Sequence, residues 1–239
     1  MTPNLSLNRT ARRRTVRLEV SGRWLAGAGL IGAAGRLLGA CVYDVQPTAA
    51  PPINISSSYC DRIPGKWAVV VDDGVKGLRR DVKSSIRCSA HTYSIDAGPA
   101  LTTSIRQTLE NVFEETVAKE ALPSQEVLAS ERLAGSVWVR LNQYQPRLAC
   151  PRAASWSGGV CDSTVDLSLG IIVKGSDGQD LVATSFGSTQ SAVSEPSNFC
   201  GKAGSAVAGA TGRAITAALS RLTDTWRIQW RFADRAEVE

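Results

Sequence analysis

Thr164 to Lys174 alternates apolar residues with polar or small ones as far as Ile171. Val165, Leu167, Leu169, Ile171 and Val173 fall on one side, and Thr164, Asp166, Ser168 and Gly170 on the other. Successive side chains of a strand point to opposite faces, so this stretch demands a sheet with one covered face and one more polar face. Ser176-Asp177-Gly178 is a hairpin turn signal, and Leu181 to Phe186 reads as the returning strand. Whatever covers the apolar face must carry its own apolar stripe.

Two segments supply such stripes. Ala100 to Ala121 reads as a helix, with Leu101, Ile105, Leu109, Val112, Phe113 and Val117 spaced by three and four. Glu115 and Lys119 would form a favourable i,i+4 pair on it. A second helix is expected from Ala203 to Trp226, with Val207, Ile215, Leu219, Leu222 and Trp226 on its apolar side. Gly204, Ala208 and Gly212 repeat every four residues along it and make a smooth strip. That strip reads either as tight packing within the domain or as a docking face for a partner helix. Further strands are expected at Trp67 to Asp72, a β-branched run, at Ser85 to Ile95, and at about 136–148. In the last of these, Val137, Val139 and Leu141 alternate with Trp138, Arg140 and Asn142. The expected fold is α+β: a two-layer sandwich with a mostly antiparallel sheet of about five strands and two helices on one face.

The N-terminus carries a different signal. Arg12, Arg13, Arg14, Arg17 and Arg23 precede an apolar run from Trp24 to Ala40 that only Arg36 interrupts. Positive charge ahead of a short apolar segment and small residues is the pattern of an export signal. The run is short for a membrane span, which needs roughly 20 apolar residues. It ends in Leu38-Gly39-Ala40-Cys41. Those four residues resemble the lipobox of bacterial lipoproteins. The resemblance implies that the leader is cut before Cys41, and that Cys41 carries acyl chains of the palmitate type. The expected organisation is a signal peptide over 1–40, a lipidated Cys and tether over 41–64, and one α+β domain over 65–239. Pro47, Pro51, Pro52 and Ser56-Ser57-Ser58 give the tether its composition, while Ile53 and Ile55 leave open a strand on the domain edge.

Seven of the 27 basic residues and one of the 22 acidic residues lie in the leader, which leaves 20 against 21 after it. The net charge of +5 therefore belongs to the leader, and the domain offers no basic excess for nucleic acid. Export places Cys60, Cys88, Cys150, Cys161 and Cys200 where disulfides persist. Cys150 with Cys161 is the first expected pair, across a Pro/Ser/Gly-rich loop between two strands. Cys60 with Cys88 is the second, with Cys60–Cys200 as its rival. No CxxC occurs and His91 is the sole histidine, so neither a metal site nor a cofactor is expected.

Catalytic sets are equally scarce. A Ser-His-Asp triad would have to use His91. Asp72-Asp73 reads as a solvated strand end more readily than as an acid/base pair. Gly74-x-x-Gly77 and Gly204-x-x-x-x-Gly209 lack the Lys-Ser/Thr of a phosphate loop. Trp138 and Tyr144, both placed on the less apolar face of the third strand, are a candidate ligand platform. The order of elements over about residues 65–226 resembles YajG-like lipoproteins and the auxiliary lipoproteins of ABC-type lipid-transport systems. That resemblance rests on pattern and carries over no functional residue besides Cys41. The expected protein is a lipid-anchored, non-enzymatic periplasmic lipoprotein, an accessory or assembly subunit of an envelope complex with an envelope protein as partner. The alternative is a binder of a small lipid or glycan. Val42, not Asp, follows Cys41, which by resemblance to the enteric sorting rule points to the outer membrane; the inner membrane remains open.

Overall fold

The computed structural model describes residues 41–48, 62–85, 87–150, 160–194 and 200–236, with side chains described to residue 224; all fall within the compact unit Ala40–Glu239. The expected signal peptide and the Pro/Ser-rich residues 49–61 lie outside the described residues.

The chain runs β1 (Val42–Val45), β2 (Ile63–Val71), α1 (Asp73–Lys76), β3 (Arg79–Val82), β4 (Thr92–Asp96), α2 (Gly98–Val112), β5 (Phe113–Lys119), α3 (Gln125–Ser130), β6 (Gly135–Ala149), β7 (Asp162–Gly175), β8 (Asp180–Val193) and α4 (Ala203–Ala236). The α+β class is as expected. Among the described residues, however, there are eight strands in two sheets, ordered β5-β2-β6-β7-β8 and β1-β4-β3. The larger sheet is mixed, not mostly antiparallel. β2 pairs in parallel with both β5 and β6, while β6–β7 and β7–β8 are antiparallel. The cause is visible in β2. Val69-Val70-Val71 is buried on both sides, as a central parallel strand requires. Trp67, Val69 and Val71 face the main core, whereas Ala68 sits under Leu128 and Leu133 beside α3.

That main core is one cluster joining the inner faces of β2, β6 and β7 to α2 and α4. Leu101, Ile105 and Leu109 of α2 are completely buried, each worth about 1.5–3 kcal/mol relative to exposure. Two hydroxyls share that buried face and are satisfied within the helix. Ser104 donates to the Ala100 carbonyl and Thr108 to the Ser104 carbonyl, each at 2.8 Å.

The first long helix stops nine residues short of its expected end. Phe113 adopts φ −98° and ψ 150°, and residues Phe113–Lys119 form strand β5. Phe113 packs on Trp67 with ring centroids 4.9 Å apart, and the strand that follows hydrogen-bonds along the edge of β2. The expected Glu115–Lys119 helical pair is therefore absent. Glu115 lies 3.5 Å from Lys66 on the neighbouring strand, and Lys119 lies 2.6 Å from Glu131 after α3. Ion pairs this exposed contribute at most about 1 kcal/mol, so burial of Phe113 and the sheet edge decide the conformation.

Two other expectations shift. Of the strand expected over Ser85 to Ile95 only Thr92 to Ile95 forms, as part of β4, while a strand not expected, β3, lies before it. The tether expected over 41–64 begins instead as β1, paired in parallel with β4 from Val42↔Thr92 to Val45↔Ile95. Ile63 and Pro64 likewise already belong to β2.

A bulge in β6 changes which side chains share a face. The register against β7 slips between Leu141 and Gln143. An extra residue reverses the alternation beyond it. Val137 and Val139 point into the core before the bulge, and Tyr144 and Leu148 after it. Tyr144 and Thr211 of α4 share a buried hydroxyl–hydroxyl bond of 3.0 Å.

Burial pushes the Tyr144 phenol up to about 12 despite that bond, and burial together with the neighbouring Tyr43 pushes Tyr93 up to about 12 as well. Both lie above the ordinary value of 10.0, so the unfolded chain loses these protons first. Their contribution to stability is complete below pH ~10 and is lost as pH rises toward ~12. The urea midpoint should therefore hold through neutral pH and fall across that alkaline window. A Tyr144→Phe variant should show a shallower fall. Equal slopes for the two proteins would mean that Tyr144 does not titrate as described.

Candidate functional site

Several of the candidate residues gather where the described chain begins. Cys41 is exposed and is the one cysteine among the described residues outside a disulfide. Its carbonyl accepts a hydrogen bond from Thr92 N at 3.2 Å, so it is tied to the domain one residue before β1. Val42, next along, is 63% exposed. Behind it Tyr43 stacks on Tyr93, with centroids 5.5 Å apart and planes 14° from parallel, and meets the edge of His91 at 5.5 Å.

The small-residue strip of α4 completes this end. A Cβ added to Gly204 would come within 2.8 Å of Val45 Cγ2 and 3.6 Å of Tyr93. One added to Gly212 would lie 3.7 Å from the Thr48 carbonyl, and Ala208 packs against the main core. The strip therefore faces the chain's own first strand and the residues just after it. Among the two sequence alternatives, this contact is of the internal kind, although the element seated there is β1.

Disulfides secure the same region. Cys150 and Cys161 are bonded to each other, with Cα atoms 4.2 Å apart. Cys88, by contrast, is bonded to Cys200, so neither of the two expected partners of Cys60 pairs with it. Cys60 itself lies outside the described residues. Cys88 has a left-handed φ of 63° in the turn before β4, and Cys200 opens the 3-10 turn that leads into α4. The bond ties the smaller sheet to the start of α4. Tyr93 supports it by donating to the Cys200 carbonyl at 2.7 Å.

The remaining candidates are not brought together. Asp72 caps α1, accepting from Gly74 N at 3.0 Å, and Asp73 lies 3.3 Å from Lys76, which also reaches Glu120. Lys76 is held above its ordinary value chiefly by its hydrogen bond to Glu120. His91 is half-buried; its Nδ1 meets no hydrogen-bond partner among the described residues. The platform of Trp138 and Tyr144 does not exist. Trp138 lies on the open sheet face with the Arg140 guanidinium 5.7 Å above its ring, and the bulge has turned Tyr144 into the core. Two cores and the β1–α4 contact escaped sequence reasoning, because Val45 and Thr48 carry no periodicity that could show them.

No known family profile matches the chain, and no curated protein does. Some solved structures are similar to the chain. One is protein XCC0632 of Xanthomonas campestris, of family DUF330, at 12% identity over 82% of this chain and 99% of that one, with a TM-score of 0.48. A Helicobacter pylori structure assigned as a neuraminyllactose-binding hemagglutinin homolog matches at 8% identity over 73% and 92%, with a TM-score of 0.41. Lipoprotein GNA1162 of Neisseria meningitidis matches at 13% identity over 67% and 99%, with a TM-score of 0.31. Within the described residues no helix is long and apolar enough to cross a membrane.

Proposed function

We propose that the protein is a lipoprotein anchored through Cys41 on the periplasmic side of the outer membrane, where its domain serves as a non-catalytic accessory or assembly subunit of an envelope complex. The observation that carries this reading is Cys41 itself: exposed, unpaired and fixed at the head of β1, where acyl chains meet no obstacle from the described residues. Two or more chains on that residue suffice for firm attachment, whereas one anchors only marginally. The scatter of Asp72-Asp73 and His91 into a helix cap and an aromatic contact supports the non-catalytic part.

Intact mass and membrane fractionation test the anchor. Wild type made in a bacterial host should begin at Cys41, carry acyl mass and sediment with the outer membrane. Cys41→Ala should lose the acyl mass and leave that fraction. A wild-type chain that keeps its leader and stays in the soluble fraction would overturn the reading. Co-purification of a second envelope protein with wild type, and its loss from the Cys41→Ala chain, tests the accessory role.

A further inference from the structure

Four cysteines of this chain form two disulfides, and sulfur atoms of the two bonds are neighbours. The Sγ atoms of Cys88, Cys150 and Cys161 all lie within 4.8 Å of one another. Cys200 is bonded to Cys88 and so joins the same group. We propose that the four form a single thiol–disulfide exchange site, in which Cys88 carries reducing equivalents from the accessible Cys88–Cys200 bond to the enclosed Cys150–Cys161 bond.

Burial sets the order of events. Cys150 and Cys161 are 2% and 8% exposed, while Cys88 and Cys200 are half-buried. An external dithiol, whether a protein or a small molecule, therefore reaches the outer bond first. The backbone then holds Cys88 next to the inner one. Arg87 N donates to the Cys150 carbonyl at 3.1 Å, and Cys150 N donates to Ser84 Oγ at 3.0 Å. Cys161 is fixed on its other side, donating to Ser194 Oγ at 2.9 Å and accepting from Ser194 N at 2.8 Å. These contacts involve no sulfur, so they persist whichever pair is bonded.

The chemistry balances in two steps. A dithiolate attacks one sulfur of Cys88–Cys200, and its second thiol resolves the mixed disulfide. The dithiol leaves as its own disulfide, having given two electrons and two protons to Cys88 and Cys200. Cys88, as thiolate, next attacks Sγ of Cys150 or Cys161. A new bond to Cys88 forms, the Cys150–Cys161 bond breaks, and the displaced sulfur leaves as a thiolate that takes up the proton Cys88 released. The second step is redox-neutral: it moves the free thiol inward. The site would thus accept an electron pair from a dithiol donor at the surface and hold it as two thiols, one on the outer Cys200 and one on the inner pair.

Limited reduction of the full wild-type chain with dithiothreitol, acid quench, alkylation and disulfide mapping tests this. Among chains left with one disulfide, about one in ten or more should carry Cys88–Cys150 or Cys88–Cys161. A Cys200→Ser chain, which strands Cys88 without its partner, should show the same new bond, with Cys150 or Cys161 alkylated in its place. If one-disulfide chains hold only Cys88–Cys200 or Cys150–Cys161, the proposal fails. It fails equally if Cys88 of the variant is alkylated throughout or captured by Cys60. Neither result touches the anchor at Cys41, which is tested separately.

Discussion

Gly135→Ala should lower the free energy of unfolding by about 3 kcal/mol or more, although it adds a single methyl group. Gly135 opens β6, paired with Trp67 of β2 and with Gly175 of β7. A Cβ built there would overlap the Lys174 carbonyl oxygen and come within 2.6 Å of Trp67 Cζ3. Neither neighbour can yield cheaply. The carbonyl belongs to a paired strand, and the Trp67 ring is wedged against Phe113 while its Nε1 donates to the Pro64 carbonyl at 3.0 Å. The added methyl thus pushes apart the parallel and antiparallel halves of the large sheet. Urea unfolding followed by circular dichroism would measure the effect. Gly201→Ala is the control: among the described residues its Cβ would meet only Tyr43 at 3.7 Å, ordinary contact, and should change stability little. Equal midpoints for Gly135→Ala and wild type would show that β2, β6 and β7 do not meet as described.

The second large effect concerns the Cys88–Cys200 bond. It closes a sequence separation of 112, against 11 for Cys150–Cys161. Closing the longer loop restricts the unfolded chain more, so the chain-entropy model assigns about 5 kcal/mol to the first bond and about 3 to the second. A Cys88→Ala/Cys200→Ala protein should melt about 10 °C or more below wild type. The Cys150→Ala/Cys161→Ala protein should fall between the two. The first loss should also free the β1-β4-β3 sheet from α4, which hydrogen exchange at Thr92 to Asp96 would reveal as selective deprotection. The reverse order of melting temperatures would contradict the assignment of Cys88–Cys200 as the clamp between the smaller sheet and α4.

The sequence was most legible where one physical demand acted alone. In β7 the alternation of Val165, Leu167, Leu169, Ile171 and Val173 answers only to burial on one face, and the strand and its hairpin followed directly from it. The segment around Phe113 answers to two demands. Its apolar residues fit the α2 stripe as well as they fit a strand, and the choice falls to Trp67 and the edge of β2, both remote in sequence. Tyr144 illustrates a third case. One extra residue near Leu141 reverses every later side chain of β6, and no single residue type in Leu141-Asn142-Gln143 announces it. Pairing of Cys88 with Cys200 depends on the whole fold, so spacing could not select it over Cys60. The reading of Cys41 rests on purely local context, and the structure leaves that residue exposed at the point where β1 begins.

The start of β1 at Val42 has a mechanical consequence for an acylated Cys41. A free chain from residue 41 to residue 64 could reach roughly 80 Å, enough for a domain to roam far from the bilayer. Here the leash is a single residue, and the strand that follows is hydrogen-bonded to β4 and seated on α4. The domain would stand close to the membrane like a short post. If Cys41 is acylated as proposed, every surface of the domain would stay within about a domain's height of the lipid.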